Sequence, residues 1–107
     1  MQSDHPIMCF ITAPNREEAL QIGNALVEEK LAACVHLVPG LTSIYRWKGA
    51  ICQDEEILLM AKSQYSQLNE IVRCVIEIHS YEVPEIVAIP IAGGSQAYLD
   101  WIKDSIR

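Results

Sequence analysis

The sequence predicts a single α+β domain over residues 1–107, with the element order β-α-β-β-α-β and an additional C-terminal helix. Two observations support this order. Three short apolar runs of strand length alternate with two stretches of helical periodicity, and a long β-rich stretch folds back at a Lys48-Gly49 turn. With right-handed crossovers, this order gives a split βαβ, ferredoxin-like plait, in which two helices cover one face of an antiparallel sheet.

The first strand and the first helix are predicted from adjacent signals. Residues 7–11 form a continuous apolar run, which indicates an interior strand covered on both faces. Asn15 is expected to cap the next helix, and Glu18 completes a capping-box pattern three residues later. Helical spacing then collects the apolar side chains on one face, where Gly23 allows a close approach to the sheet.

The hairpin is predicted to be longer than its own domain. At roughly 3.3 Å per residue, the first arm from residue 35 to residue 47 extends over about 40 Å. A compact chain of this length has a diameter near ~35 Å. Tyr45 and Trp47 should therefore lie on an overhanging tip, where an exposed aromatic patch favours an oligomer whose subunits cover each other's hairpins. Pro39-Gly40 predicts a bulge or bend in the first arm.

The second half of the chain supplies the remaining elements. The acidic residues 54–56 are expected on a solvated strand edge facing Arg46 or Lys48. A second helix starts at Ser63 or Ser66, and a third apolar run follows at residues 86–89. A final helix is capped by Ser95. Its predicted buried stripe consists of Tyr98, Leu99, Trp101, Ile102 and Ile106.

Composition excludes several classes of protein. The net charge of −6 argues against nucleic acid and against an anionic membrane surface as partners. The N-terminal residues lack the basic and apolar segments of a signal peptide, and no apolar run approaches the ~18 residues of a membrane span. The four cysteines form no C-x-x-C pair, as expected for reduced thiols. These features predict a cytoplasmic protein.

Metal ligation is one candidate chemistry. His79 closes the second helix, where it could bind a metal or carry a proton, or cap the helix end as a structural residue. Cys34 and Cys74 are candidate soft ligands for copper or zinc, although packing is the alternative for both. Cys74 and His79 are five residues apart, about 140° around a helix, so they do not easily share one ion.

A polar cleft is the other candidate site. Glu85 and Lys62 each lie beside the predicted sheet interior, where an ionised group needs a partner to offset desolvation. Together with Tyr81 and Trp47 they are expected to line a cleft within or between subunits, and a structural ion pair is the alternative. No hydrolase, phosphate-loop or dinucleotide motif is present, so a non-enzymatic protein is predicted.

Several motifs, in order from Ile7 to Ile106, resemble one known family. They are Lys30-Leu31-Ala32-Ala33-Cys34-Val35, Val38-Pro39-Gly40, Ser43-Ile44-Tyr45-Arg46-Trp47-Lys48-Gly49, Glu56, Lys62, His79-Ser80-Tyr81-Glu82-Val83-Pro84-Glu85 and Tyr98-Leu99-x-Trp101. In combination they are similar to the CutA divalent-cation tolerance family, and the chain is predicted to be one CutA-like domain.

This resemblance implies a homotrimer, related in architecture to PII signalling proteins, with the long hairpins paired between subunits. It implies tolerance to copper and other divalent cations as the function, with no required cofactor. A PII-like trimer that binds a small ligand or a protein partner in an intersubunit cleft is the alternative. Some bacterial relatives carry a metal-ligating cysteine before Thr-Ala-Pro and two adjacent histidines. In this chain Ile11 stands at the position of that cysteine and Ile78 at the position of the first histidine. His79 is therefore the one residue that matches this set of ligands.

Overall fold

The computed structural model describes residues 3–107 and contains a four-stranded antiparallel sheet with the strand order β2-β3-β1-β4. The elements in chain order are β1 (Pro6–Ala13), α1 (Arg16–Glu28), β2 (Cys34–Trp47), β3 (Ala50–Gln64), α2 (Leu68–Ile78), β4 (Ile86–Pro90) and α3 (Gln96–Asp104). A single 3-10 turn, Tyr65–Gln67, precedes α2. The predicted plait with its additional helix is confirmed.

The core lies between the sheet and the pair α1 and α2. Alternation along β1 buries Ile7, Cys9 and Ile11 against the helices, and this burial raises the pKa of the Cys9 thiol to about 11. Met8 and Phe10 point to the opposite side of the sheet and are only half-buried. The expected cover on both faces of β1 is thus only partly present in one chain, because α1 and α2 cover one face and α3 contacts β1 and β3 on the other.

A side chain near the start of α1 contacts the segment that follows α2. The Asn15 side chain accepts a 2.8 Å hydrogen bond from the Glu18 backbone N–H, which confirms the predicted cap. The Glu18 carboxylate does not complete a capping box. It accepts hydrogen bonds from the backbone N–H and the hydroxyl of Ser80, at 3.2 and 3.1 Å. Further along α1, a Cβ on Gly23 would lie 3.4 Å from Val35 Cγ1, as expected for a close approach to the sheet.

The hairpin formed by β2 and β3 extends beyond the domain. The molecule measures 44 × 28 × 23 Å, and Ile44 and Ile51 near the tip are 70% and 64% exposed. Lys48 and Gly49 both have positive φ, 49° and 83°, the pattern of a type I′ turn. The register shifts between Val38 and Leu41, which confirms the bulge predicted at Pro39-Gly40.

The last helix, α3, differs from its predicted form. Ser95 caps it through a hydrogen bond from the Tyr98 N–H, as expected. However, Tyr98 and Trp101 are exposed and only Ile102 is fully buried, so the predicted five-residue buried stripe is wrong. Within residues 3–107, no helix combines the length and the apolar character that crossing a membrane requires.

Candidate functional site

A cleft of about 670 Å³ runs along the hairpin, from Thr12 and Glu56 at its base to Trp47 beside the turn. Its walls come from β2, from β3 and from the segment that connects α2 to β4, and we call it the hairpin cleft. Its lining residues are Thr12, Ser43, Ile44, Tyr45, Trp47, Glu56, Ser80, Tyr81, Glu82, Val83, Pro84 and Glu85. Three of the four residues predicted for a cleft, Trp47, Tyr81 and Glu85, are thus brought together by the fold.

Two tyrosine–carboxylate pairs organise the hairpin cleft. The Tyr81 hydroxyl donates a 2.8 Å hydrogen bond to Glu56, a carboxylate that is only 7% exposed. The Tyr45 hydroxyl donates to Asp54 on the same face of β3. Glu55 points to the other face, where it accepts a 2.8 Å bond from the Thr42 hydroxyl. The expected solvated edge is therefore wrong for Glu56, because the segment after α2 folds over this carboxylate.

The charge of the hairpin cleft is negative. Its lining within residues 3–107 includes Glu56, Glu82 and Glu85 but no Lys or Arg. The hydrogen bond to Asp54 raises the pKa of Tyr45 to about 12. Burial, and then the hydrogen bond to Glu56, raise the pKa of Tyr81 as well. Both phenols therefore stay protonated donors at neutral pH, and the cleft combines aromatic faces with carboxylates.

His79 supports the wall of the hairpin cleft. It is 8% exposed, and its Nε2 donates a 2.6 Å hydrogen bond to the backbone carbonyl of Thr12. Its Nδ1 accepts from the Tyr81 backbone N–H at 3.1 Å and lies 3.3 Å from a Glu18 carboxylate oxygen. The ring thus connects α2 to β1 instead of capping its own helix. A cation bound at either nitrogen would have to displace one of these contacts.

The two cysteines predicted as candidate ligands have different surroundings. Cys74 packs against the core, and burial, followed by the nearby charges of Glu29 and Glu77, raises the pKa of its thiol. Because thiolates are the metal-binding form, this shift disfavours ligation by Cys74. Cys34 is half-buried, and its Sγ lies 3.6 Å from His36 Nε2. In residues 3–107, no three His, Cys, Asp or Glu side chains converge into a metal-binding group.

Lys62 does not line the hairpin cleft in this chain. It lies six residues beyond Glu56 on β3, about 20 Å along the strand. There its ammonium group donates to His36 Nε2 and to the Tyr98 hydroxyl, both at 3.0 Å. His36 was not among the predicted site residues, although strand alternation places it on the same face of β2 as Cys34. The register pairs Cys34 with Lys62.

The fold and the hairpin cleft together define a class: a ferredoxin-like α+β domain with an overhanging hairpin and an acidic, aromatic cleft alongside it. Comparison with known proteins gives the family. The model of the CutA1 divalent ion tolerance protein family matches residues 7–105. The chain therefore belongs to the CutA1 divalent ion tolerance family, as its motifs predicted.

Individual relatives agree with this assignment. The divalent-cation tolerance protein CutA of Thermus thermophilus is 52% identical over 96 residues, covering 90% of this chain and 93% of that protein. The chloroplastic protein CutA of Arabidopsis thaliana is 46% identical over 101 residues, covering 94% of this chain. This chain spans only 56% of the length of the Arabidopsis protein. Human protein CutA is 46% identical over 94 residues, and this chain spans 52% of its length.

Solved structures show the same fold. The Cut A1 divalent cation tolerance protein of Thermus thermophilus has a TM-score of 0.93 and 48% identity, covering 95% of this chain and 99% of that one. CutA1 of Oryza sativa has a TM-score of 0.92 and 42% identity, covering 95% and 94% of the two chains.

Proposed function

We propose that this member of the divalent ion tolerance family acts in the cytoplasm as a homotrimer that responds to copper and other divalent cations and binds them weakly. The family match over residues 7–105 is the observation that carries this proposal. The net charge of −6 is compatible with attraction of cations. On this view the protein catalyses no reaction and requires no cofactor.

His79 is the family-matching residue to test first as a ligand. Isothermal titration of copper into the native protein should show weak binding, and His79→Ala should reduce it. His5→Ala is the matched control, because His5 is half-buried and stacks on Tyr65 away from the hairpin cleft. No binding by the native protein would contradict the proposed function. Identical binding by native protein and His79→Ala would contradict the ligand role alone.

A structural check must accompany this titration. His79→Ala leaves the Thr12 carbonyl and the Tyr81 N–H without their partner, at a cost of roughly 1–3 kcal/mol for each buried group. Loss of copper binding therefore counts as evidence for ligation only if circular dichroism shows that the variant remains folded at the temperature of the titration.

A second candidate function is ligand binding in the hairpin cleft, as a PII-like signalling or scaffolding trimer. Its volume of about 670 Å³ falls in the ~300–1,000 Å³ range of small-molecule sites. The aromatic faces and carboxylates of the cleft favour a cationic organic ligand, since aromatic faces attract cations. Such a ligand would take the place of the Lys48 ammonium, which lies 5.7 Å from the centre of the Trp47 ring and 3.9 Å from Glu82.

Thermal-shift measurements test this second function. Alkylammonium ions and polyamines should raise the melting temperature of the native protein, whereas anionic nucleotides of similar size should not. Trp47→Ala should abolish the shift, and Trp101→Ala is the matched control because Trp101 is equally exposed but lies on α3, outside the cleft. A shift that persists in Trp47→Ala, or no shift with any cation, would contradict ligand binding in this cleft.

A further inference from the structure

Two charged side chains on one face of the sheet lack a counter-charge in their own chain. The core side chains of β3 are the odd-numbered ones, so strand alternation places Glu56 and Lys62 on the face opposite to α1 and α2. We call this the second face of the sheet. Within residues 3–107, neither side chain forms an ion pair. The second face therefore carries an uncompensated carboxylate and an uncompensated ammonium group.

The carboxylate is the more demanding of the two. Glu56 is only 7% exposed, and a charge buried to that extent is costly unless it is paired and hydrogen-bonded. The Tyr81 hydroxyl donates to Oε2 at 2.8 Å, and no donor from residues 3–107 reaches Oε1. The carboxylate can thus accept one further hydrogen bond, and a cationic donor would offset its desolvation best.

The ammonium group of Lys62 has the matching capacity. An ammonium carries three N–H donors. Two of them donate to His36 Nε2 and to the Tyr98 hydroxyl, both at 3.0 Å. The third has no partner among residues 3–107, and neither of the two acceptors is a carboxylate. Lys62 can therefore bind a carboxylate without giving up either of its present contacts.

These two groups do not meet within one chain, and no other strand cation takes the place of Lys62. Glu56 and Lys62 are six residues apart, about 20 Å along β3. The four strands contain one further Lys or Arg, which is Arg46. Its pairing with Ile51 places Arg46 on the face that carries Glu55. Among the described strands, Lys62 alone brings a Lys or Arg side chain to the second face.

A cyclic trimer brings the separated groups together. Its interfaces are heterologous, so that a patch on one subunit meets a different patch on the next. Val87 and Ile89 leave apolar surface on the same second face, which favours its burial in the assembly. We propose that Lys62 of one subunit donates its third N–H to Glu56 of the neighbouring subunit and so completes the base of the hairpin cleft. The inference rests on the proposed homotrimer and names a contact within it.

A double-mutant cycle tests this contact. Two changes about 20 Å apart in one chain, with no shared partner, should act independently, so coupling between them reports a contact between subunits. Glu56→Gln, Lys62→Met and the double variant are compared with the native protein by light scattering in increasing urea. The midpoint is the urea concentration at which the mass of three chains falls to that of one. Circular dichroism without urea verifies that each variant is folded.

Glu55→Gln combined with Lys62→Met is the matched control. Glu55 is the adjacent carboxylate on β3, but it points to the other face, where it accepts a hydrogen bond from the Thr42 hydroxyl. The exchanged pair, Glu56→Lys with Lys62→Glu, is a second test, because it restores opposite charges only if the two positions meet.

We expect each single change to lower the midpoint, and Glu56→Gln with Lys62→Met to lie no lower than the more damaging single variant. The control pair should be additive, and the exchanged pair should regain the trimer that each charge reversal alone loses. Additive effects in a trimeric native protein, or equal coupling of Lys62 to Glu55 and to Glu56, would overturn this contact and leave the proposed homotrimer standing. A monomeric native protein would overturn both.

Discussion

At the scale of single residues, the hairpin cleft depends on a buried carboxylate and its hydroxyl partner. Glu56 is 7% exposed, and a charge buried to that extent is costly unless it is hydrogen-bonded. The Tyr81 hydroxyl supplies that bond at 2.8 Å from a segment that follows α2. The pair therefore connects the base of the hairpin to the connection that forms the opposite wall of the cleft.

Removing this hydroxyl should destabilise the protein. We expect Tyr81→Phe to lower the free energy of unfolding by about 1–3 kcal/mol, because it leaves the Glu56 carboxylate without its donor. Urea unfolding at fixed protein concentration measures the change. Adding Glu56→Gln should remove part of the penalty, so the double variant should be less unstable than the sum of the two single changes. Native stability in Tyr81→Phe would contradict this role.

Tyr45 makes the stability of the hairpin depend on alkaline pH. Its hydrogen bond to Asp54 raises the pKa to about 12 from an ordinary value of 10. The contribution is fully present below pH 10, where the phenol is protonated in both states, and is lost as the pH rises through about 12. Tyrosinate absorbance followed against pH should show two late-titrating tyrosines, Tyr45 and Tyr81, and Tyr45→Phe should remove one of them. Titration of Tyr45 near 10 would contradict this expectation.

At the scale of elements, the tip turn is the clearest local constraint. Lys48 adopts φ = 49° and Gly49 φ = 83°. A side chain at the glycine position is strained in this region by roughly 1–2 kcal/mol, whereas asparagine tolerates the first position better than lysine does.

Gly49→Ala should therefore destabilise the hairpin by about 1 kcal/mol, and Lys48→Asn should stabilise it by a few tenths of a kcal/mol or more. Urea unfolding of the two variants and of the native protein measures the change in unfolding free energy, which should have opposite signs in the two variants. Gly93→Ala is the control, because a Cβ at Gly93 meets nothing within 4 Å and its φ lies outside the left-handed region. Equal effects of Gly49→Ala and Gly93→Ala would contradict the turn assignment.

The elements themselves were predictable because their signals are local. The Asn15 cap, the Lys48-Gly49 turn and the bulge after Val38 each depend on a few neighbouring residues. The predictions that were wrong concern contacts between residues far apart in the sequence. The Glu18 carboxylate binds Ser80 instead of completing its own cap, and Tyr98 is drawn toward Lys62 at the sheet surface instead of into the core.

At the scale of the whole molecule, the hairpin tip and β4 both leave apolar surface uncovered. The hairpin tip exposes Ile44 and Ile51, and β4 exposes Val87 and Ile89 on the face of the sheet opposite to α1 and α2. Contiguous exposed apolar surface on a small domain marks an interaction site. Both surfaces support the proposed homotrimer, because cyclic assembly would let each subunit cover its neighbour.

Light scattering coupled to gel filtration tests the assembly. The native protein should have three times the 12.0 kDa mass of one chain. Ile51→Asp should shift the population toward monomer, since it places a charge on the exposed hairpin tip. Ile76→Asp is the matched control: Ile76 is similarly exposed but lies on the outer side of α2. A monomeric native protein, or equal dissociation by both variants, would contradict a trimer built through the hairpin.

The sequence by itself determined the order of the strands and helices along the chain, their caps and turns, and the family. These features depend on patterns of neighbouring residues, which can be read from the sequence alone. It also placed Trp47, Tyr81 and Glu85 in one cleft. Only the tertiary structure decided that Lys62 joins His36 and Cys34 instead of that cleft. The reason is the register of β2 against β3, which shifts at the bulge between Val38 and Leu41 and then pairs Cys34 with Lys62, so that Lys62 reaches His36, 26 positions away along the chain.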